Sequence, residues 1–339
     1  MYHGRFKGTH YEAGFKYGSL LKKNGVIITK CPTFDITEEM KDFTEKCLPI
    51  YQEYYPEILQ EINGVAAGQG VDNSIFYQIL FSMYCFKPDQ HCSCFAYSDK
   101  EHILLGRNSD FLVSLEKLYM NCLFNLDNAY AFNGNTTAFI EMEDGMNEYG
   151  LAIGLTFIYP HIQKPGLNAG MLLRYILEKC KTTKEAIDAL KRLPIASAQT
   201  FTIADSHGNI VIIECNPKHL EIIYPKGNQQ FVATTNHFHS DKLKIFNAPL
   251  EIDDWQSHER YKTIKTALET HKRTCNIDFS KDLLSGKHGF ICQYDRKKNA
   301  DTVWSVVYDV KNRKIYRVEG NPSRKIFKED KRMCFIDCD

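Results

Sequence analysis

The 339-residue chain is 43% apolar and 25% charged, and its 42 basic residues balance 42 acidic ones. That balance removes the basic stripe expected of a nucleic-acid binder, and no run reaches the ~18 apolar residues of a membrane span. The opening Met1-Tyr2-His3-Gly4-Arg5-Phe6 lacks the apolar core of a signal peptide, so the expected compartment is the cytoplasm, with most of the twelve cysteines reduced.

Helix signals fill the first ninety residues. Thr9-x-x-Glu12 is a capping box opening a helix to about Asn24, and Glu38–Ile62 carries apolar residues at helical spacing with interruptions near Pro49 and Pro56. Asp72 or Asn73 caps a third helix, Ile75 to about Cys85, stopped by Pro88. Gly64, Gly68 and Gly70 read as helix stops: no strand precedes them, so a phosphate loop is excluded. No strand signal precedes Cys92.

From Cys92 onward short β-branched and aromatic runs alternate with turns, the pattern of antiparallel sheet. Expected strands are Leu118–Asn125, Thr137–Met142, Leu151–Phe157, Thr200–Ala204, Ile210–Cys215, Leu220–Tyr224, Phe231–Thr235, Val303–Val310 and Lys314–Val318. Helices interrupt at Leu167–Cys180, at Thr183–Leu193 behind the capping box Thr182-x-x-Glu185, and at Asp254 to about Thr270. This order suggests a layered α+β protein, and a four-layer αββα sandwich fits it.

Chemistry concentrates in His91-Cys92-Ser93-Cys94-Phe95-Ala96-Tyr97 and the returning Leu105-Gly106-Arg107-Asn108-Ser109-Asp110. A hairpin turning at Ser98–Glu101 brings Arg107 and Asp110 back beside Cys92, joining a thiol, a guanidinium and a carboxylate. Cys94 is an alternative nucleophile, since strand alternation sends it to the same face as Cys92. Zinc held by His91, Cys92, Cys94 and His237 or His239 is a weaker reading, because Cys-x-Cys is not a finger spacing. Cys31, Cys47, Cys85, Cys122, Cys180 and Cys215 read as small buried hydrophobes.

These residues resemble the isopenicillin-N acyltransferase family of N-terminal nucleophile hydrolases, relatives of bile salt hydrolase and penicillin V acylase. Gly8–Gly18 is similar to that family's opening helix, Tyr55–Ala66 to its second, and the 18-position step from Cys92 to Asp110 to its acyltransferase pattern. The resemblance implies an αββα fold with a helical pro-segment 1–91, a catalytic domain 92–339, and self-cleavage between His91 and Cys92. The freed Cys92 amine would act as base toward its own thiol, which would attack a linear non-peptide amide and carry the acyl group as a thioester. Arg107 and Asp110 match the family's orienting residues, Asn236 its oxyanion donor, and Arg260 a further active-site Arg.

Three departures stand out. His91 replaces a frequent Gly, Thr156 stands where relatives carry a second oxyanion Asn, and Asn299 stands where the acyltransferases have an Arg. The expected partners are a small-molecule amide and an acceptor amine, with no metal, organic cofactor, nucleic acid or membrane. The amphipathic helices of 1–91 should stay bound to 92–339 after cleavage. Hydrolysis against transfer, assembly with further copies, and a non-catalytic uncleaved binding protein all stay open in the sequence.

Overall fold

The computed structural model describes residues 1–30, 35–86, 91–271 and 274–335, so Cys31 and Pro88 lie outside the described residues. Two sheets stack face to face. One has eight strands: β1 (Tyr2–Gly8), β4 (Met120–Leu126), β5 (Phe132–Thr136), β6 (Asp144–Asn147), β7 (Ala152–Phe157), β8 (Gln199–Ala204), β9 (Ile210–Cys215) and β10 (Leu220–Ile223), in that spatial order. The other runs β11 (Phe231–Thr234), β2 (His91–Ser98), β3 (Ile103–Leu112), β12 (Ala300–Asp309), β13 (Lys314–Val318) and β14 (Lys328–Asp330).

Strand alternation sorts the core into layers. On β2, Cys94 and Ala96 face the eight-stranded sheet, joining Leu105, Ala152, Ala204, Ile212 and Val306 between the sheets. Phe95 and Tyr97 point the other way, onto α7 (Ser257–Thr270) and α8 (Ile277–Leu284). The far face of the eight-stranded sheet is covered by α1 (His10–Lys23), α2 (Glu38–Tyr54), α3 (Pro56–Gln69), α4 (Asn73–Ser82), α5 (Ala169–Lys179) and α6 (Thr183–Arg192). The result is the αββα sandwich expected from the sequence.

The caps at Thr9, Asp72 and Thr182 form as expected, each side chain accepting a first-turn N–H. Pro49 sits inside α2 without ending it, whereas Pro56 occupies the first turn of α3. Several expectations need correction. A strand does precede Cys92: β1 pairs in parallel with β4, so the first residues of the chain are built into the sheet. Thr137–Met142 is not a strand. Its residues connect β5 to β6, and the acidic start of β6 masked the alternation on which the sequence reading depends. The helix α8 was missed because eight residues give barely two turns of periodicity.

The glycines before residue 70 also act differently. Gly64 and Gly68 lie within α3, where an added Cβ would come within 2.2 Å of the Tyr11 carbonyl and 2.4 Å of the Phe15 carbonyl on α1. Gly14 and Gly18 on α1 would collide in the same way with the Glu61 and Val65 carbonyls. Only Gly70, at φ +70°, is a helix stop.

A buried ionic cluster fixes these helices to the sandwich. Arg174 on α5 donates to Glu61 on α3 (2.8 Å) and to Glu178 (2.6 Å), and Glu178 also accepts from Tyr55 (2.6 Å) and contacts His10 on α1 (3.2 Å). No helix among the described residues is long and apolar enough to cross a membrane.

Candidate active site

The β2–β3 hairpin pairs Cys92 with Ser109, Cys94 with Arg107 and His91 with Asp110. This register decides which groups meet the thiol. Positions 107 and 110 are three apart on a strand and therefore serve opposite faces. Arg107 lies on the inter-sheet face with the sulfur, its Nη2 donating to Cys92 Sγ at 2.8 Å. Asp110 lies on the α7 side, opposite His91 and beside the Cys92 main chain, so the two groups expected near Cys92 approach it from different faces.

Arg107 is fully buried and tightly held. Its Nε donates to the Leu155 carbonyl (2.9 Å) and its Nη1 to Asp144 (2.7 Å), while Glu143 approaches Nη2 at 3.5 Å. Asp144 also accepts from Trp304 Nε1 (2.8 Å), Tyr308 O–H (2.6 Å) and Asn135 Nδ2 (2.5 Å). With so many donors this carboxylate is a fixed anchor for the guanidinium. Glu143 accepts from Thr137 and from the Ser109 hydroxyl, and burial raises its pKa against the pull of Arg107.

The main chain of Cys92 is gripped from the other side. Its N–H donates to Asn236 Oδ1 (2.9 Å), and its carbonyl accepts from Arg260 Nη1 (2.6 Å). Arg260 Nη2 donates to the same Asn236 oxygen (2.9 Å), and Nη1 also reaches Ser93 Oγ (3.0 Å). Asp110 stands 3.8 Å from Arg260 and accepts from Thr302 (2.5 Å) and Tyr294 (3.0 Å). Asn236 just follows β11; its N–H donates to Ser257 Oγ (2.8 Å) and its Nδ2 to the Phe157 carbonyl (2.8 Å).

Thr156 faces the inter-sheet side of β7, where its hydroxyl hydrogen-bonds Thr200. Cys94 shares the thiol-bearing face but borders Gly154, away from Asn236 and Arg260. Thus five of the six residues expected from the sequence, Cys92, Arg107, Asp110, Asn236 and Arg260, join one connected network, and Thr156 lies beside it. Asn299 lies at the turn before β12, its side chain capping Ser114.

Burial sets the resting state. The Cys92 thiol is 1% exposed and its pKa is pushed up to about 12 by desolvation, with Arg107 pulling it down and Glu143 adding to the rise. Burial also raises Asp110 to about 6, opposed chiefly by Arg260. His91 opens β2 with its ring against Trp255, and its pKa lies well below the usual value because of burial and, after it, the Arg260 charge.

Sequence reasoning missed Glu143, Asp144, Ser257, Tyr294 and Thr302. Adjacent acids opening Glu143-Asp144-Gly145 were the available signal, since paired carboxylates at the start of a buried strand demand a cation. The zinc reading finds no support in the arrangement, because alternation along β2 sends His91 to the face opposite Cys92 and Cys94, and Cys92 Sγ already accepts from Arg107. Among the described residues, the grouping close enough to hold an ion is His10, Glu61 and Glu178, whose carboxylates are already paired with Arg174.

Among solved structures the chain is similar to penicillin V acylase from Agrobacterium tumefaciens, with 16% identity over 67% of this chain and 83% of that one and a TM-score of 0.46. A mutant conjugated bile acid hydrolase from Clostridium perfringens gives 16% identity over 67% and 89% of the two chains, with a TM-score of 0.49. The acyl-coenzyme A:6-aminopenicillanic acid acyltransferase family matches residues 97–324, a span that starts five positions after Cys92 and includes Arg107, Asp110, Thr156, Asn236 and Arg260. On that match, over more than half its length, this chain belongs to the acyl-coenzyme A:6-aminopenicillanic acid acyltransferase family.

Proposed function

We propose that the protein is a self-processing cysteine amidohydrolase or acyltransferase acting on a linear, non-peptide amide, with Cys92 as nucleophile. The observation that carries this reading is the double grip on Cys92: a guanidinium 2.8 Å from its sulfur, and Asn236 and Arg260 on its backbone. A merely structural cysteine needs neither.

In the uncut chain the sulfur attacks the His91 carbonyl; the S–C bond forms, the C–N bond breaks, and the thiol proton passes to the Cys92 nitrogen. Water then hydrolyses the thioester and leaves a free amine on Cys92. An α-amine has an ordinary pKa of ~7.7–8.0, so it can take the thiol proton near neutral pH in later turnovers. Attack on a substrate amide transfers that proton to the departing amine and leaves the acyl group on sulfur, for water or an acceptor amine to remove. Arg107 stabilises the thiolate, while Asn236 Nδ2, which gives one of its two hydrogens to the Phe157 carbonyl, supplies the other to the developing oxyanion, and its Oδ1 keeps its hold on the Cys92 nitrogen. Thr156 is a hydroxyl donor of the same pocket if Thr200 releases it. Asp110 acts through Arg260 and through the Cys92 amine once cleavage frees it.

Residues 1–91 stay attached after cleavage on this reading, supported by β1 in the sheet and by the Glu61–Arg174–Glu178 cluster. The cytoplasm suits a chain whose described cysteines are free and mostly inside the core. The second reading, an uncleaved binding protein, is favoured by one observation, the burial of the thiol.

Intact-mass measurement of the wild type and Cys92→Ala after incubation near neutral pH separates them. Fragments 1–91 and 92–339 in the wild type alone are expected. A single uncut chain in both proteins overturns the self-processing mechanism and leaves the binding protein.

A further inference from the structure

For a self-processing enzyme the first amide that Cys92 meets is the chain's own His91–Cys92 bond, and the subsite inferred from that bond rests on the self-processing function. In this bond His91 is the acyl side, because its carbonyl carbon receives the sulfur while the Cys92 nitrogen leaves. The surroundings of the His91 side chain are therefore an acyl subsite seen with an occupant in it.

That occupant is held by its ring face. The imidazole of His91 lies against the indole of Trp255 with centroids 4.6 Å apart and planes at 19°. Trp255 in turn leans on Tyr294 (5.3 Å), whose hydroxyl donates to Asp110. The indole is well fixed: Trp255 and Gln256 both have left-handed backbones, at φ +52° and +58°, and the Trp255 carbonyl accepts from Arg260 Nε at 2.9 Å. The same arginine that grips the Cys92 carbonyl thus sets the position of the ring platform.

The Nδ1 side of the imidazole makes no polar use of this place. Its Nδ1 is buried without a hydrogen-bond partner, so the subsite recognises a flat π-surface at a desolvation cost for the ring nitrogen. A carbocyclic ring in the same position keeps the stacking and removes the orphaned nitrogen.

We propose that Trp255 is the specificity-determining residue of the acyl subsite, and that it selects acyl groups carrying a flat ring two carbons from the carbonyl carbon, the 3-arylpropanoyl class. Cleavage makes His91 a chain end, and its ring then leaves the indole face to the substrate.

The test uses the self-cleaved full protein with the 4-nitroanilides of 3-phenylpropanoic and 3-cyclohexylpropanoic acid, which match in connectivity and bulk but differ in the π-face. Wild type should prefer the phenyl compound about three- to tenfold in kcat/KM, the range expected of one aromatic pair beyond its buried area. Trp255→Phe should keep most of that ratio, and Trp255→Leu should bring it close to unity. Self-cleavage itself provides a second readout independent of those variants: His91→Phe should cleave at least as fast as the parent and His91→Leu more slowly. A wild-type ratio near unity, turnover of neither anilide, a ratio unchanged in Trp255→Leu, or faster cleavage of His91→Leu than of His91→Phe overturns the proposal while leaving a cleaved enzyme. An uncut wild type removes the underlying function and the subsite with it.

Discussion

Replacing Arg107 by Met removes the cation that Cys92, Asp144 and Glu143 share, and the structure allows the consequences to be separated. For the fold, Asp144 keeps its donors from Trp304, Tyr308 and Asn135 but loses its counter-charge in a site with no solvent access. Breaking a buried pair from one side costs roughly 3–5 kcal/mol. For the thiol, a unit charge within about 4 Å contributes ~4 kcal/mol at an effective dielectric of 20, which is about three pKa units. Cys92 starts at about 12 with Arg107 already pulling it down, so its loss drives the thiol further from ionisation.

Self-cleavage at fixed pH should therefore slow by about a thousandfold in Arg107→Met, following the thiolate fraction. Arg107→Lys keeps the charge but cannot reproduce the Nε bond to Leu155 and the two Nη bonds together, and should fall between the two. By the same titration the wild-type rate should rise about tenfold per pH unit between roughly pH 6 and 9, where a thiol titrating far above that window is still almost wholly protonated. The assay is the cleaved fraction against time by intact mass, with urea denaturation of each variant to confirm folding. A folded Arg107→Met protein that cleaves within tenfold of wild type, or a wild-type rate that is flat with pH, refutes the assigned role of the guanidinium.

Three further outcomes are expected. Glu178 is held at about 2 despite its burial, mainly by Arg174, so its contribution to stability, ~3 kcal/mol from the shift, is present above pH ~4.5 and lost as pH falls towards 2; acid titration of Glu178→Gln should show a shallower loss over that window, and a parallel curve would refute it. Gly18→Ala places a methyl 2.1 Å from the Val65 carbonyl and should lower the melting temperature by several degrees, whereas Gly25→Ala, with nothing near the new methyl, should show only the smaller cost of its positive φ. Ser257→Ala removes the hydroxyl that holds the Asn236 N–H and, on the role proposed for Asn236, should lower kcat more than it raises KM for any amide that is turned over, since it disturbs the placement of a group proposed to act on the transition state.

The hairpin and its thiol were legible because the information is local: β-branched and aromatic runs, a turn of Ser98–Glu101 and a fixed offset to Arg107. Asn236 and Arg260 could be named only through a family resemblance, since no pattern within one sequence says that the end of β11 and the first turn of α7 meet Cys92. Asp144 escaped for a physical reason. A buried carboxylate looks like a loop residue until its four donors, from β3, β5 and β12, are brought together by the fold. β1 escaped for a similar reason, as Arg5 and Lys7 alternate outward on a short edge strand and leave only Phe6 as its inward apolar side chain.

Strand parity explains why the site has two halves. A thiol whose stabilising cation sat on the same side as its backbone grip would place Arg107 and Arg260 together, with like charges in one buried space. The hairpin avoids this by sending position 107 to the inter-sheet face, against Asp144 and Glu143, and position 110 to the α7 face, against Arg260. Each guanidinium has its own carboxylate, and the pleat of β3 stands between them. Cys92 is served by both because its sulfur lies on one face while its amide and carbonyl lie in the plane of the sheet. A one-residue slip of β2 against β3 would exchange these faces and put the sulfur among the α7 groups, so the register of eight backbone pairs specifies the chemistry as well as the fold.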